Sequence, residues 1–168
     1  QGILYVSTTG DRFAISRAER GEPGKFWWQN RNFITNDLLT MPEAPAQLKL
    51  SPDGKRLAYV LGRGDLWLLD LETRKPRRVF AGWNAPDFDW SPDGKWFVYG
   101  QLDSEFNRDI WIVPSDGAGK PYNVSRHPYA EYGPVWSPDG KMVAFAGKRA
   151  SGDRGSHLCL VFLNPDDD

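Results

Sequence analysis

The sequence predicts an all-β fold, a partial β-propeller: an arc of about four four-stranded antiparallel blades, two complete and two incomplete. Three observations point there. The string Ser-Pro-Asp-Gly-Lys occurs at Ser51, Ser91 and Ser137, giving start-to-start spacings of 40 and 46 residues. A period in the forties suits one four-stranded blade, whereas a helical repeat of that length would need long stretches of 3.6-residue periodicity that this chain lacks. Seventeen glycines and thirteen prolines supply many chain reversals. Aromatic residues make up 14%, eight of them Trp, and such bulk suits packing between sheets.

The turn string has a local logic. Proline presets φ at the first central position, aspartate accepts hydrogen bonds from nearby amides, and glycine supplies the positive φ that reverses the chain. Each copy therefore joins two strands of a hairpin. The first strands are Leu48–Leu50, Phe88–Trp90 and Pro134–Trp136. The second strands are the apolar runs at 57–60, 96–99 and 142–145. After a polar loop come third strands at 66–69, 110–113 and 158–161, the first two preceded directly by Asp65 and Asp109. Weaker fourth strands follow at 77–80 and 122–124. Being the polar strand of its blade, each reads as the exposed sheet edge, where charged residues discourage edge pairing.

The first 47 residues fit the same frame with one strand missing. Ile3–Val6 matches a second strand, Phe13–Ile15 after Asp11 a third, and Leu38–Met41 a displaced fourth. An insertion around Phe26-Trp27-Trp28 separates the last two. The expected division is 1–47 (incomplete blade with insertion), 48–86 and 87–133 (complete blades), and 134–168 (incomplete blade), all one propeller segment. The tail Asp166-Asp167-Asp168 reads as solvated.

Composition excludes several function classes. Twenty-one Lys+Arg against 22 Asp+Glu, a net charge of −1, argue against a nucleic-acid partner. A lone cysteine, Cys159, excludes an intramolecular disulfide and reads as a small core residue. No apolar run approaches the roughly 20 residues of a membrane span. The chain opens at Gln1 without Met or leader. We therefore expect a processed or excised piece whose compartment is not legible.

The octets Phe88–Lys95 and Pro134–Lys141 resemble the repeats of TolB-like and tricorn-protease-like propellers. Asn107–Val113, followed by Asn123–Pro128, looks most like the N-terminal propeller of bacterial tricorn-like serine peptidases. The resemblance implies a non-catalytic propeller segment serving peptide access or assembly beside a separate catalytic domain. The alternative it implies is a TolB-like interaction scaffold with no peptidase attached. The implied partners are the remainder of the propeller, that catalytic domain, and peptides or proteins.

The residues agree with a segment that does no chemistry. A Ser-His-Asp arrangement has only His127 and His157 to draw on, and no Gly-x-Ser-x-Gly elbow is present. Asp103–Asp109 alternates oxygen-bearing side chains but lacks the turn glycine and distal glutamate of a calcium loop, so it reads as a solvated loop. No metal or other cofactor is expected. Binding candidates fall on the connections between blades, namely Trp83, Arg126, His127 and Tyr129, with Tyr132 grouped in the second of these loops. Two more, Lys49 and Asp89, alternate with apolar neighbours on the innermost strands. Exposed aromatics beside Arg and His suit peptide contact. Open blade flanks should also favour self-association.

Overall fold

The computed structural model describes residues 2–152 and 154–163; the aspartate tail lies outside them. Among the described residues, fourteen strands form four antiparallel sheets in an open arc. The first sheet holds β1 (Gly2–Thr9), β2 (Arg12–Arg20) and β3 (Phe33–Met41). The second holds β4 (Ala46–Leu50), β5 (Arg56–Leu61), β6 (Asp65–Asp70) and β7 (Pro76–Phe80). The third holds β8 (Asp87–Trp90), β9 (Trp96–Leu102), β10 (Arg108–Pro114) and β11 (Tyr122–Asn123). The fourth holds β12 (Glu131–Trp136), β13 (Met142–Gly147) and β14 (His157–Phe162). Strands pair in sequence order within each sheet, so every connection inside a blade is a hairpin.

The three turn strings share one hydrogen-bond circuit. The hydroxyls of Ser51, Ser91 and Ser137 donate to Asp53, Asp93 and Asp139 at 2.5, 2.6 and 2.5 Å. Each hydroxyl also accepts the N–H five residues later, from Arg56, Trp96 and Met142, at 2.9 Å. The same carboxylates accept the N–H of Lys55, Lys95 and Lys141 at 3.1, 3.0 and 3.1 Å. Gly54, Gly94 and Gly140 take φ of 70°, 68° and 75°, which only glycine adopts without strain. One serine hydroxyl thus serves as donor and acceptor, and fixes the register of the hairpin.

Between consecutive sheets lie three apolar clusters. Ile15, Met41, Leu57, Tyr59 and Leu69 join the first sheet to the second. Ala58, Leu66, Leu68, Phe88, Trp90, Phe97 and Tyr99 are among those joining the second to the third. Val98, Ile110, Val143 and Phe145 join the third to the fourth. The period-2 alternation of a strand explains the division: on β5, Leu57 and Tyr59 face backwards while Ala58 and Val60 face forwards. All four are buried. Burial pushes the Tyr59 hydroxyl up to about 12.

Several details depart from the sequence reading. The insertion lengthens β2 and β3 into a long hairpin whose loop carries a single 3-10 turn, Trp27–Gln29. There Phe26 stacks on Trp28 and Trp27 on Phe33, at 4.6 and 5.4 Å between centroids. The fourth strand of the third sheet is only two residues, β11. The β12 strand begins three residues earlier than the apolar pattern indicates. A bulge with Gly133 at φ 60° lets it continue, and this moves Tyr132 from the loop onto the strand. Cys159 packs against the third cluster but is only half-buried. Its neighbours Leu158 and Leu160 point away from the core, 76% and 51% exposed.

Two substitutions test these assignments by urea unfolding. Phe97→Ala, at a fully buried ring, should cost about 3–5 kcal/mol. Ser91→Ala should cost about 1–3 kcal/mol, because it leaves the Trp96 N–H without its acceptor. The Asp93 carboxyl is held below its ordinary range by the Ser91 hydroxyl and the Lys95 N–H. Its folded state therefore binds protons less readily than its unfolded state. The stability it contributes is complete above about pH 4 and is lost as pH falls through the depressed folded value. The gap in unfolding midpoint between the native chain and Asp93→Asn should shrink below about pH 4.

Candidate functional site

An aspartate at the start of each complete blade's third strand ties down the chain where it leaves that blade, Asp65 at the connection itself and Asp109 at the fourth strand just before it. Asp65 accepts the Gly82 N–H at 3.0 Å and pairs with Arg78 at 3.1 Å. Asp109, buried, accepts from Asn107 at 3.2 Å and from Asn123 at 2.6 Å. Gly64 and Gly82 let the loops touch: a Cβ on Gly64 would lie 2.0 Å from the Asn84 carbonyl. The connections that carry the sequence candidates are thus tied to the β5–β6 and β9–β10 loops.

This brings most loop candidates together. The Trp83 ring, 48% exposed, meets the edge of Phe106 at 5.8 Å. One residue on, Asn107 donates to the His127 carbonyl at 2.8 Å. The His127 Nδ1 receives the Tyr129 N–H at 3.4 Å, with the rings 5.6 Å apart. Arg126 turns aside: its guanidinium lies 5.0 Å over Tyr122, and its φ of 45° is held by Asn123 accepting its N–H at 2.9 Å. Tyr132 instead receives the Arg108 guanidinium at 5.6 Å, and Arg108 pairs with Asp87 at 3.2 Å.

Lys49 and Asp89 form a second group, on the innermost strands of adjacent blades. The Lys49 ammonium donates to the Phe88 carbonyl at 2.5 Å and pairs with Asp89 at 3.3 Å. Both side chains are partly exposed, so solvent screens the pair and its contribution to stability is at most about 1 kcal/mol.

Sequence reasoning passed over Phe106, Asn107, Arg108 and Asp87. Phe106 is 74% exposed with φ 62°, at the tip of the loop read as merely solvated. The Asp103 carboxylate there accepts the N–H groups of Glu105 and Asn107 at 2.8 and 2.9 Å. The loop is therefore a folded turn that lifts Phe106 beside Trp83. An aromatic inside a polar inter-strand loop was the available signal. Among the described residues, no group of three or more His, Cys, Asp and Glu side chains is placed to hold a metal ion, and no helix is long and apolar enough to cross a membrane.

Comparison with known proteins sets this geometry beside known folds. No family model matches the chain. The Tricorn protease homolog of Saccharolobus solfataricus is 26% identical over 160 residues, covering 89% of this chain and 14% of that protein. The crystal structure of the tricorn protease superposes with a TM-score of 0.70 at 16% identity, over 98% of this chain and 17% of the other. TolB from Acinetobacter baumannii gives 0.64 at 22% identity, over 98% and 39%. The blades are TolB/tricorn-like propeller blades. The chain spans a small part of the curated relatives it matches, and the likeness to the two solved structures concerns the fold. Within such a propeller the linked loops form one end of the arc, with Trp83, Phe106 and Tyr132 as its exposed aromatics.

Asn107 links the third strand's entry to the loop after β11. Asn107→Ala should speed amide exchange across residues 124–130 by about tenfold or more while leaving the Ser-Pro-Asp-Gly turns unchanged. Hydrogen exchange read by mass spectrometry checks this.

Proposed function

We propose that the chain is a non-catalytic propeller segment of a tricorn-like serine peptidase that serves peptide access or assembly beside a separate catalytic domain. The alignment with a tricorn protease homolog over 89% of the chain carries the reading. The loop end supports it: exposed Trp83, Phe106 and Tyr132 beside Arg108 and His127 offer stacking surfaces and hydrogen-bonding groups to an extended peptide. The His127 Nδ1 faces its own backbone at Tyr129, an engagement that suits a structural more than a chemical role. The likeness to TolB favours a second reading, an interaction scaffold without a peptidase. The loop end would serve either as a docking surface.

Assembly has a candidate surface of its own. On β14, Leu158, Leu160 and Phe162 point outward, 76, 51 and 41% exposed. An apolar sheet face of this kind is what a propeller blade presents to its neighbour. The chain should self-associate in light scattering, and Leu158→Glu with Leu160→Glu should return it to a monomer.

Peptide binding is tested by titrating unstructured peptides into the native chain and into the triple variant Trp83→Ala, Phe106→Ala, Tyr132→Ala. The three residues are 48, 74 and 48% exposed and none belongs to an apolar cluster between sheets, so the fold should persist, with affinity reduced about tenfold or more. Equal binding by both proteins contradicts the access role. Hydrolysis of peptides by the chain alone contradicts the non-catalytic role.

A further inference from the structure

The interface between the second and third sheets contains an arginine seat, and the next interface repeats the seat without the arginine. Arg56 opens β5, one residue after the turn string, and reaches toward the third sheet. Its guanidinium lies 5.2 Å from the Trp90 ring. Its Nη2 donates to the Gly94 carbonyl at 2.9 Å and its Nη1 to the Ser115 hydroxyl at 3.3 Å. Trp90 itself is anchored, its Nε1 donating to the Lys49 carbonyl at 3.1 Å.

One blade further on, Trp136 and Gly140 stand where Trp90 and Gly94 stand, and Leu163 takes the place of Ser115. The residue that opens β9, however, is Trp96. What lies there is a cleft of about 660 Å³, lined by Trp96, Trp136, Tyr122, Gly140, Asp93 and Asp139 among others. That volume is in the range of small-ligand sites. The Trp136 Nε1 is buried and has no hydrogen-bond partner among the described residues. The Asp93 and Asp139 carboxyls are both held below their ordinary range, first by the serine hydroxyls of their turns, so both are anions at neutral pH. Lys95 and Lys141 follow them in the turns, and Lys95 lies 3.8 Å from Asp93. The rim is therefore not a simple anionic patch. Selectivity comes from an indole face with a carbonyl and a carboxylate beside it, which suits a flat, delocalised guanidinium better than a compact ammonium.

We propose that this cleft binds the arginine side chain of a polypeptide partner, seated on Trp136 as Arg56 is seated on Trp90. The Gly140 carbonyl and the Asp139 carboxylate accept its N–H groups. The site is separate from the loop end and does not depend on the peptidase reading.

Intrinsic tryptophan fluorescence of the whole chain, titrated with the capped tripeptide acetyl-Ala-Arg-Ala-amide, tests this. The controls replace arginine by citrulline, which keeps the shape and loses the charge, or by lysine. A saturable response to the arginine peptide is expected, at least about tenfold weaker for citrulline and several-fold weaker for lysine. Trp96→Arg supplies the guanidinium from within the chain and should abolish the response while holding or raising the urea midpoint. Asp139→Asn should weaken binding several-fold, and it decides the matter if Trp96→Arg does not fold. Equal responses to arginine and citrulline overturn the proposal, as does undiminished binding by a folded Trp96→Arg or by Asp139→Asn. A fluorescence change that depends on protein concentration without peptide assigns the cleft to a second copy of the chain, and also overturns it.

Discussion

The second strands of the two complete blades have no face for water along their middles. Leu57, Ala58, Tyr59 and Val60 are buried in succession on β5, as are Phe97, Val98 and Tyr99 on β9. Because alternate residues point to opposite sides, such a strand must be covered twice, by the sheet before it and the sheet after it. Hydrogen bonds complete each blade internally. Only its neighbours complete the burial of its apolar side chains, which is the main favourable term in folding. The stacking of blades, the loops gathered at one end and the apolar outer face of β14 all follow from that requirement.

The repeat was legible because its chemistry is local. A serine, an aspartate and a glycine within four residues close a turn without tertiary help, so three turns and the flanking strand frames could be placed from the chain alone. Strand count and sheet grouping followed, and the four sheets bear them out. What escaped was set by tertiary contact. The early start of β12 depends on a bulge at Gly133, and the long β2–β3 hairpin depends on aromatic stacking around Trp27. Apolar periodicity signals neither of them. The outward Leu158 and Leu160 flank a half-buried Cys159, and a run of apolar residues on one strand cannot by itself reveal which face is covered.

The candidate site was partly legible for the same reason. The connections between blades were readable from the repeat frame, and the structure links Trp83 to Phe106 and, one residue on, Asn107 to His127 beside Tyr129. The direction of the Arg126 side chain was not readable, because it depends on Asn123 holding a left-handed backbone at that residue. Phe106 and Arg108 owe their positions to the Asp103 turn and the Asp87 pair, contacts between residues up to 21 apart. The repeat also hides a difference that pattern matching smooths over. Equivalent positions carry Arg56 at one interface and Trp96 at the next, so one interface is laced by a guanidinium and the other opens into a cleft.

If two-sided burial governs stability, damage in one sheet must be felt in the next. Leu68 sits on β6 in the second sheet, and its cluster includes Phe97 and Tyr99 on β9 in the third. The most direct measurement is native-state hydrogen exchange of Leu68→Ala, read strand by strand. Amides of β9 should lose protection along with those of β6, by a similar free energy, because the two sheets unfold as one unit. Loss of protection confined to the second sheet, with β9 unchanged, would contradict the account.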